Sequence, residues 1–322
     1  MRLREKRLID IYILEILNEY SSEKQKMLQK DILYYLDVNY NIKVTRNTLS
    51  IYLQELKAYG YISGNRGVYI VRKFSRQDMR ILMNNLLYSK SISQKNIQEL
   101  LKKIKEFAEP DMRSRLNSLR FAADINRTDN DNINDIIDKL DKAIYARKRI
   151  EVTMCVYNIE GKFIRGKTYI LDPYYIVVEK GRYYLICNAG RGDIEPRRID
   201  RIMSVKILSE KRKEIREIEK YENGAFDLTK YINENIYMYS GESERIIIKV
   251  RINRIGDFID WFGKHYRVMS KTDETVTVQI KANVNAVYFW ALQYSAVAEI
   301  LKPDSLREKI KKGAKRIWEM YQ

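Results

Sequence analysis

The chain has 322 residues, 45% of them hydrophobic and 11% aromatic, which gives room for two or three domains with cores of their own and excludes a largely disordered protein. Sixty lysines and arginines against 43 acids leave a formal charge of +17, which favours a polyanionic partner. Two cysteines (Cys155 and Cys187) and one histidine (His265) make neither a disulfide framework nor a zinc-ligand spacing, and no apolar run approaches bilayer length, so a reducing cytoplasm is the expected location.

Apolar residues at helical spacing predict a first helix over 5–20 and a second over 25–36. A turn at 39–41 leads to Thr45, the expected N-cap of a third helix over 46–59, which Gly60 ends. Tyr61-Ile62 and Val68–Val71, joined by a Gly-containing turn, then read as a hairpin. Three helices and a hairpin are the plan of a winged helix-turn-helix. The run Val44-Thr45-Arg46-Asn47-Thr48-Leu49, with Leu53, Leu56 and Gly60-Tyr61-Ile62 behind it, resembles the recognition helix and wing of DeoR-like bacterial regulators. That resemblance implies a third helix lying in the major groove of a double-stranded DNA operator. The expected DNA-binding residues are Thr45, Arg46, Asn47, Ser50, Gln54 and, at the wing tip, Arg66, since Asn and Gln suit adenine and Arg suits guanine or phosphate. The mid-helix Arg-Asp pair frequent in such regulators is replaced here by Ile51-Tyr52.

Residues 75–121 carry two helical stripes, one over Met79–Leu87 and one over Ile97–Phe107, suited to an interaction role. The polar stretch 126–134 reads as a linker, followed by a helix to about Arg147. Strands are predicted at 150–157, 162–170, 174–179, 182–187 and about 196–208, the count of a five-stranded barrel. A charged helix or tether follows at 209–222. The remainder alternates strand (245–252), helix (255–262), strand (276–282) and helix (287–298).

The hairpin Tyr174–Val178, Glu179-Lys180-Gly181-Arg182, Tyr183–Cys187 is followed by arginines around Asp200. With Pro173 ahead of Tyr183-Tyr184-Leu185 and Arg198-Ile199-Asp200-Arg201-Ile202 behind it, this stretch resembles the signature of WYL-domain proteins. Tyr183 stands for the family's usual Trp, and Arg197 for a common Phe. The resemblance extends to Trp290–Tyr294 and Glu299–Arg307, similar to the closing motif of the family's C-terminal extension. It implies an α+β multidomain chain. The expected parts are a winged helix-turn-helix (1–73), a helical linker (74–132), an Sm/SH3-like five-stranded WYL barrel (133–210), a tether (211–242) and a WCX-type α/β domain (243–322). It also implies a homodimeric regulator whose barrel senses a nucleotide-like or single-stranded nucleic-acid effector. Matching motif positions nominate Tyr157, Tyr184, Arg198 and Arg201, with Arg165, Lys167, Arg182 and Arg197 beside them. Tyr can stack on a base, and Arg can fork onto phosphate. Strand alternation puts Tyr183 and Leu185 on one face, toward packing, and Tyr184 on the other.

No catalytic constellation is legible: HExxH, Walker A and GxGxxG patterns are absent, and His265 reads as a surface residue. Neither a cofactor nor a metal is expected. The alternative to a regulator is an accessory module that captures single-stranded nucleic acid for a defence system without promoter activity.

Overall fold

In a computed structural model, which describes residues 8–113, 127–222 and 226–322, the chain divides into two units, Met1–Asp131 and Asn132–Gln322. The first unit opens with helices α1 (Ile9–Tyr20), α2 (Gln29–Tyr40) and α3 (Arg46–Ala58) and strands β1 (Ile62–Ser63) and β2 (Tyr69–Ile70). Their apolar positions recur every three or four residues and meet in one core: Ile9, Ile13, Ile16 and Leu17 from α1, Ile32 and Leu36 from α2, and Leu49, Leu53 and Leu56 from α3. Removing each such side chain from water stabilises the unit by roughly 1.5–3 kcal/mol before the cost of ordering the chain.

The second helix starts four residues later than its periodicity predicts, because the backbone of Met27 exchanges hydrogen bonds with Val68 (2.9 and 2.8 Å) and holds the chain there extended beside the hairpin. It ends at Asn41, whose left-handed φ of 54° suits its short polar side chain. Thr45 caps α3, its hydroxyl accepting from the Thr48 amide at 3.2 Å.

Helices α4 (Arg76–Leu87) and α5 (Gln94–Lys105) follow, and Met79 and Met83 of α4 share a small core with Ala108 and Met112. Ser75 and Asp78 form a reciprocal capping box at the start of α4. The rest of the predicted helical stretch, from 114, lies outside the described residues, as does residue 126. The boundary between the two units falls inside the stretch expected as a linker, 126–134, and in it Arg127 and Thr128 are buried. The guanidinium of Arg127 donates to the carbonyls of Ser89 and Leu87, and the Thr128 amide to that of Lys90, so this polar run is anchored to the end of α4.

In the second unit, α6 (Ile133–Tyr145) lays Ile133, Ile136, Leu140 and Ala143 against an antiparallel sheet of five strands in the order β6-β5-β4-β3-β7. The strands are β3 (Lys148–Tyr157), β4 (Phe163–Glu179), β5 (Arg182–Asn188), β6 (Ile194–Arg198) and β7 (Ile202–Lys211). Two predicted strands are one. β4 runs through Asp172-Pro173, pairing with β3 up to Leu171 and with β5 from Asp172 onward. Proline lacks a donor, and it is tolerated here because it sits at the hand-over between partners, beside a register shift. Conversely, the strand predicted over 196–208 is cut by a 3-10 turn, Ile199–Arg201, which buries Ile199 and Asp200. Between β4 and β5, Lys180 (φ 48°) and Gly181 (φ 74°) both take positive φ, as a tight hairpin turn of right-handed twist needs.

The segment expected to be a tether is packed instead. Ile218 and Met238 are buried with Tyr174, Val177, Ile186 and Ile194 on the sheet face opposite α6, and helix α7 (Leu228–Glu234) closes over them.

The chain ends in a four-stranded antiparallel sheet, order β11-β8-β10-β9, from β8 (Ser243–Arg251), β9 (Arg267–Lys271), β10 (Thr275–Asn283) and β11 (Ala298–Lys302). Helices α8 (Ile255–Phe262) and α9 (Val284–Gln293) make this a β-α-β-β-α-β unit of the split βαβ type, extended by α10 (Asp304–Met320). The sequence pattern identifies neither β9, whose five residues are all exposed, nor β11 and α10. α9 begins earlier than predicted because Asn283 accepts from the amides of Asn285 and Ala286.

Candidate functional site

Two groups of residues could carry binding. In the first unit, Arg46, Ser50 and Gln54 on successive turns of α3 and Arg66 at the tip of the hairpin line a single concavity of about 560 Å³, with Lys30 and Lys57. Gln29 at the start of α2 fixes its floor: its carbonyl oxygen accepts from Arg46 Nε at 3.1 Å and its amide donates to Ser50 Oγ at 2.9 Å. Four cations and no carboxylate line the concavity. Asn47 is exposed on the first turn of α3, while the Thr45 hydroxyl is engaged as a cap.

In the second unit the eight nominated effector residues fall into three places. Arg182 and Arg198 converge on Asp200, which the 3-10 turn buries to 1% exposure. Arg198 forks onto both carboxylate oxygens, at 3.0 and 2.6 Å, and Arg182 adds a contact of 2.9 Å to Oδ2. The hydrogen bond to Asp200 holds the Arg198 pKa above its ordinary value, although burial opposes this. Tyr184 is directly opposite Arg198 in the β5–β6 register, and its half-buried ring packs against the Tyr174 and Ile186 cluster. Burial raises its phenol pKa, with Arg198 and Arg182 pulling the other way.

Tyr157 and Arg201 form the second place. The guanidinium of Arg201 lies 5.9 Å from the Tyr157 ring centre, and that ring stacks on Phe163 with centroids 4.5 Å apart. Phe163, the aromatic partner of Tyr157, is one that sequence pattern alone does not single out. Arg165, opposite Cys155 in register, and Lys167 are exposed along β4, and no carboxylate among the described residues lies within ion-pair distance of Arg165, Lys167 or Arg201.

Arg197 is elsewhere. Strand alternation turns it to the face of Leu185 and Cys187, where it donates to Glu195 Oε1 (2.9 Å from Nε) and lies 4.2 Å from the Tyr169 ring centre. It is thus occupied on the opposite face from Arg198. A further concavity of about 440 Å³, lined by Arg147, Arg212, Arg216, Tyr174, Tyr175 and Phe226, lies among residues the sequence did not nominate, because the chain brings 147, 174 and 212–226 together only on folding. Among the described residues, no group of three or more His, Cys, Asp or Glu side chains could hold a metal ion, and no helix is long and apolar enough to cross a membrane.

The module is thus a helix, α6, packed on a five-stranded antiparallel sheet, with Arg182 and Arg198 turned to the Asp200 of a 3-10 turn between β6 and β7. Residues 135–207 match the family model of the WYL domain, so the chain contains a WYL domain. Among solved structures, the chain is similar at 14% identity and a TM-score of 0.30 to proteasome accessory factor B/C (PafBC) of Arthrobacter aurescens, over 94% of this chain and 47% of that one. It therefore spans about half of that protein's length. It is also similar to a CRISPR Cas-related protein, at 15% identity and a TM-score of 0.40, over 98% of this chain and 85% of that one. No curated protein matches.

Proposed function

We propose that this chain is a ligand-responsive transcriptional regulator and not an enzyme. On this reading α1–α3 and the hairpin form a winged helix-turn-helix that grips duplex DNA as a homodimer. The WYL sheet senses a nucleotide-like or single-stranded nucleic-acid effector, and the C-terminal split βαβ unit is the WCX-type extension. The observation that carries the reading is the acid-free concavity where the first turns of α3 and the wing tip meet, with Arg46, Gln54 and Arg66 on one face. A helix N-terminus and a wing that present cations and amides together suit a phosphate-lined groove. The presence of a WYL domain fits a regulatory, nucleic-acid-sensing role.

The effector patch would be Tyr157, Phe163, Arg165 and Arg201, where aromatic faces and arginines without an acid partner are adjacent, with Arg198 and Arg182 held behind them by Asp200. Effector binding changes DNA affinity only if the two DNA-binding arrangements of the dimer differ in effector affinity.

Footprinting of the full chain on the region upstream of its own gene tests the reading. A protected repeat whose occupancy falls steeply with salt is the expected result. Binding of single strands with no protected duplex under any salt or effector condition would replace it with the accessory-module reading.

A further inference from the structure

The C-terminal sheet has two unlike faces. Ile246, Ile248 and Val250 of β8 and Val276, Val278 and Ile280 of β10 point to the side of α8 and α9 and are buried. The alternate residues point the other way: Arg245, Ile247, Lys249 and Arg251 on β8, and Thr275, Thr277, Gln279 and Lys281 on β10. Register places Lys281 directly opposite Arg245, and Gln279 between Ile247 and Arg267 of β9. At one end of this face Arg245, Lys264, His265, Tyr266, Arg267 and Lys281 border a concavity of about 470 Å³ that no acid lines.

Cations directly opposite one another on paired strands repel, and a sheet needs a reason to keep them. Here few are neutralised from within. Lys281 is 3.3 Å from Glu234, but no carboxylate among the described residues lies within ion-pair distance of Arg245, Lys249, Arg251, Lys264 or Arg267. The one acid of β11 that shares the face, Glu299, stands opposite Lys249 in register and is paired with Arg307 at 3.2 Å. The other outward residues of the central strands, Ile247, Thr275, Thr277 and Gln279, are uncharged, so an extended chain could lie across the face with phosphates over the cations.

We propose that this open face of the C-terminal sheet is a second nucleic-acid site, which takes the sugar-phosphate backbone of a single strand without reading its sequence. On β8 the cations Lys249 and Arg251 are ~7 Å apart along the strand and Arg245 stands about twice that distance from Lys249, across Ile247, and those of β9 and β10 widen the track sideways. No aromatic side chain stands on the outward positions of β8 or β10, and Tyr266 at the rim packs edge-on against Phe258, so base stacking contributes little and charge dominates. The inference goes beyond the effector patch of the WYL sheet and does not depend on it.

The test is binding of a fluorescent oligothymidylate of 20 nucleotides to the full chain and to R245E/K249E/R267E, across a salt series. Neutralising one phosphate of a single strand contributes a slope of about −0.7 in log K against log salt, so loss of three contacts should flatten the slope by about 2 and weaken binding by roughly tenfold or more at low salt. An equal change of net charge on α10, K311E/K312E/K315E, should leave both nearly unchanged. Should that control lose as much affinity, or should R245E/K249E/R267E bind like the parent, the proposal is overturned. Loss of duplex binding with single-strand binding intact would also overturn it, in favour of a duplex contact. If the reversed-charge variant melts early, R245Q/K249Q/R267Q supplies the same comparison with milder repulsion. R165Q/R201Q reads the effector patch separately: either site can fail while the other stands.

Discussion

The ammonium of Lys180 lies over the indole of Trp261, 3.3 Å from the ring centre, so the tip of the WYL hairpin touches the helix α8 of the C-terminal unit. Lys180 is placed there by its positive φ in the β4–β5 turn, and Trp261 by the last turn of α8. The contact ties the turn that carries Arg182 to a separate core.

Lys180→Ala should therefore cost about 0.5–1 kcal/mol, the usual worth of an exposed cation–π pair. Trp261→Ala should cost more, since Trp261 also packs on Tyr237 and donates to the Tyr294 hydroxyl at 2.9 Å. A double-mutant cycle by urea denaturation isolates the pair; additive single effects would show that the two groups do not interact in solution.

Among the described residues, Asp200 is the one carboxylate that pairs with Arg182 and Arg198, and it is buried. Asp200→Asn keeps the shape but leaves two partly buried guanidiniums short of charge. A loss of about 3 kcal/mol is expected, at the low end of the range for breaking a buried pair because both arginines still reach solvent. A melting temperature within a degree or so of the parent's would show that water satisfies both arginines without it.

On duplex DNA, Arg66→Ala should weaken binding evenly across sequences and reduce the salt slope by about 0.9, as loss of one phosphate contact does. Arg46→Ala should cost about 1–3 kcal/mol on the preferred site and less on others, if it reads a base. Equal losses on specific and random duplexes would assign Arg46 to the backbone instead.

Alkali should weaken the first unit through Tyr40. Burial, then the hydrogen bond its hydroxyl donates to Glu15 at 2.9 Å, pushes its pKa up from 10.0 to about 12. The native state thus holds the proton more tightly than the unfolded chain. That contribution is complete below pH 10 and is lost as pH rises from 10 through 12. Tyr40→Phe removes the titrating group, so its stability should fall less steeply over that interval. A parallel decline of parent and variant would exclude Tyr40 as a source.

Burial raises the thiol pKa of Cys187 and, to a smaller degree, that of Cys155, and neither cysteine is bonded to another. The thiol of Cys187 is within 3.5 Å of the Glu195 carbonyl, in the core beneath α6. Neither should react with iodoacetamide at mildly alkaline pH until the protein is denatured; fast labelling of Cys187 in the native state would mean that the α6 core opens.

Much of the local order was legible because period and caps act over a few residues. Leu49, Leu53 and Leu56 mark the inner face of α3, and Thr45 and Gly60 mark its ends. The hairpin at Lys180-Gly181 and the opposed faces of Tyr183 and Tyr184 follow from alternation in the same way. What was not legible lay where a partner far along the chain sets the outcome. Met27 is extended because Val68 is there, β4 crosses Pro173 because it changes partners, and Arg127 is buried because the end of α4 offers carbonyls.

By itself, then, the order of residues determined a basic chain of several domains, with a helical head and a β-rich module bearing arginines, since charge and period are properties of the sequence. Only tertiary packing decided which arginines share a site. Alternation and the 3-10 turn send Arg197 to Glu195 and Tyr169 on one face and Arg198 to Asp200 on the other, though the two are neighbours in sequence. The open cationic face of the C-terminal sheet belongs to the same category, because Arg245, Arg267 and Lys281 are brought together by strand register and not by position in the chain.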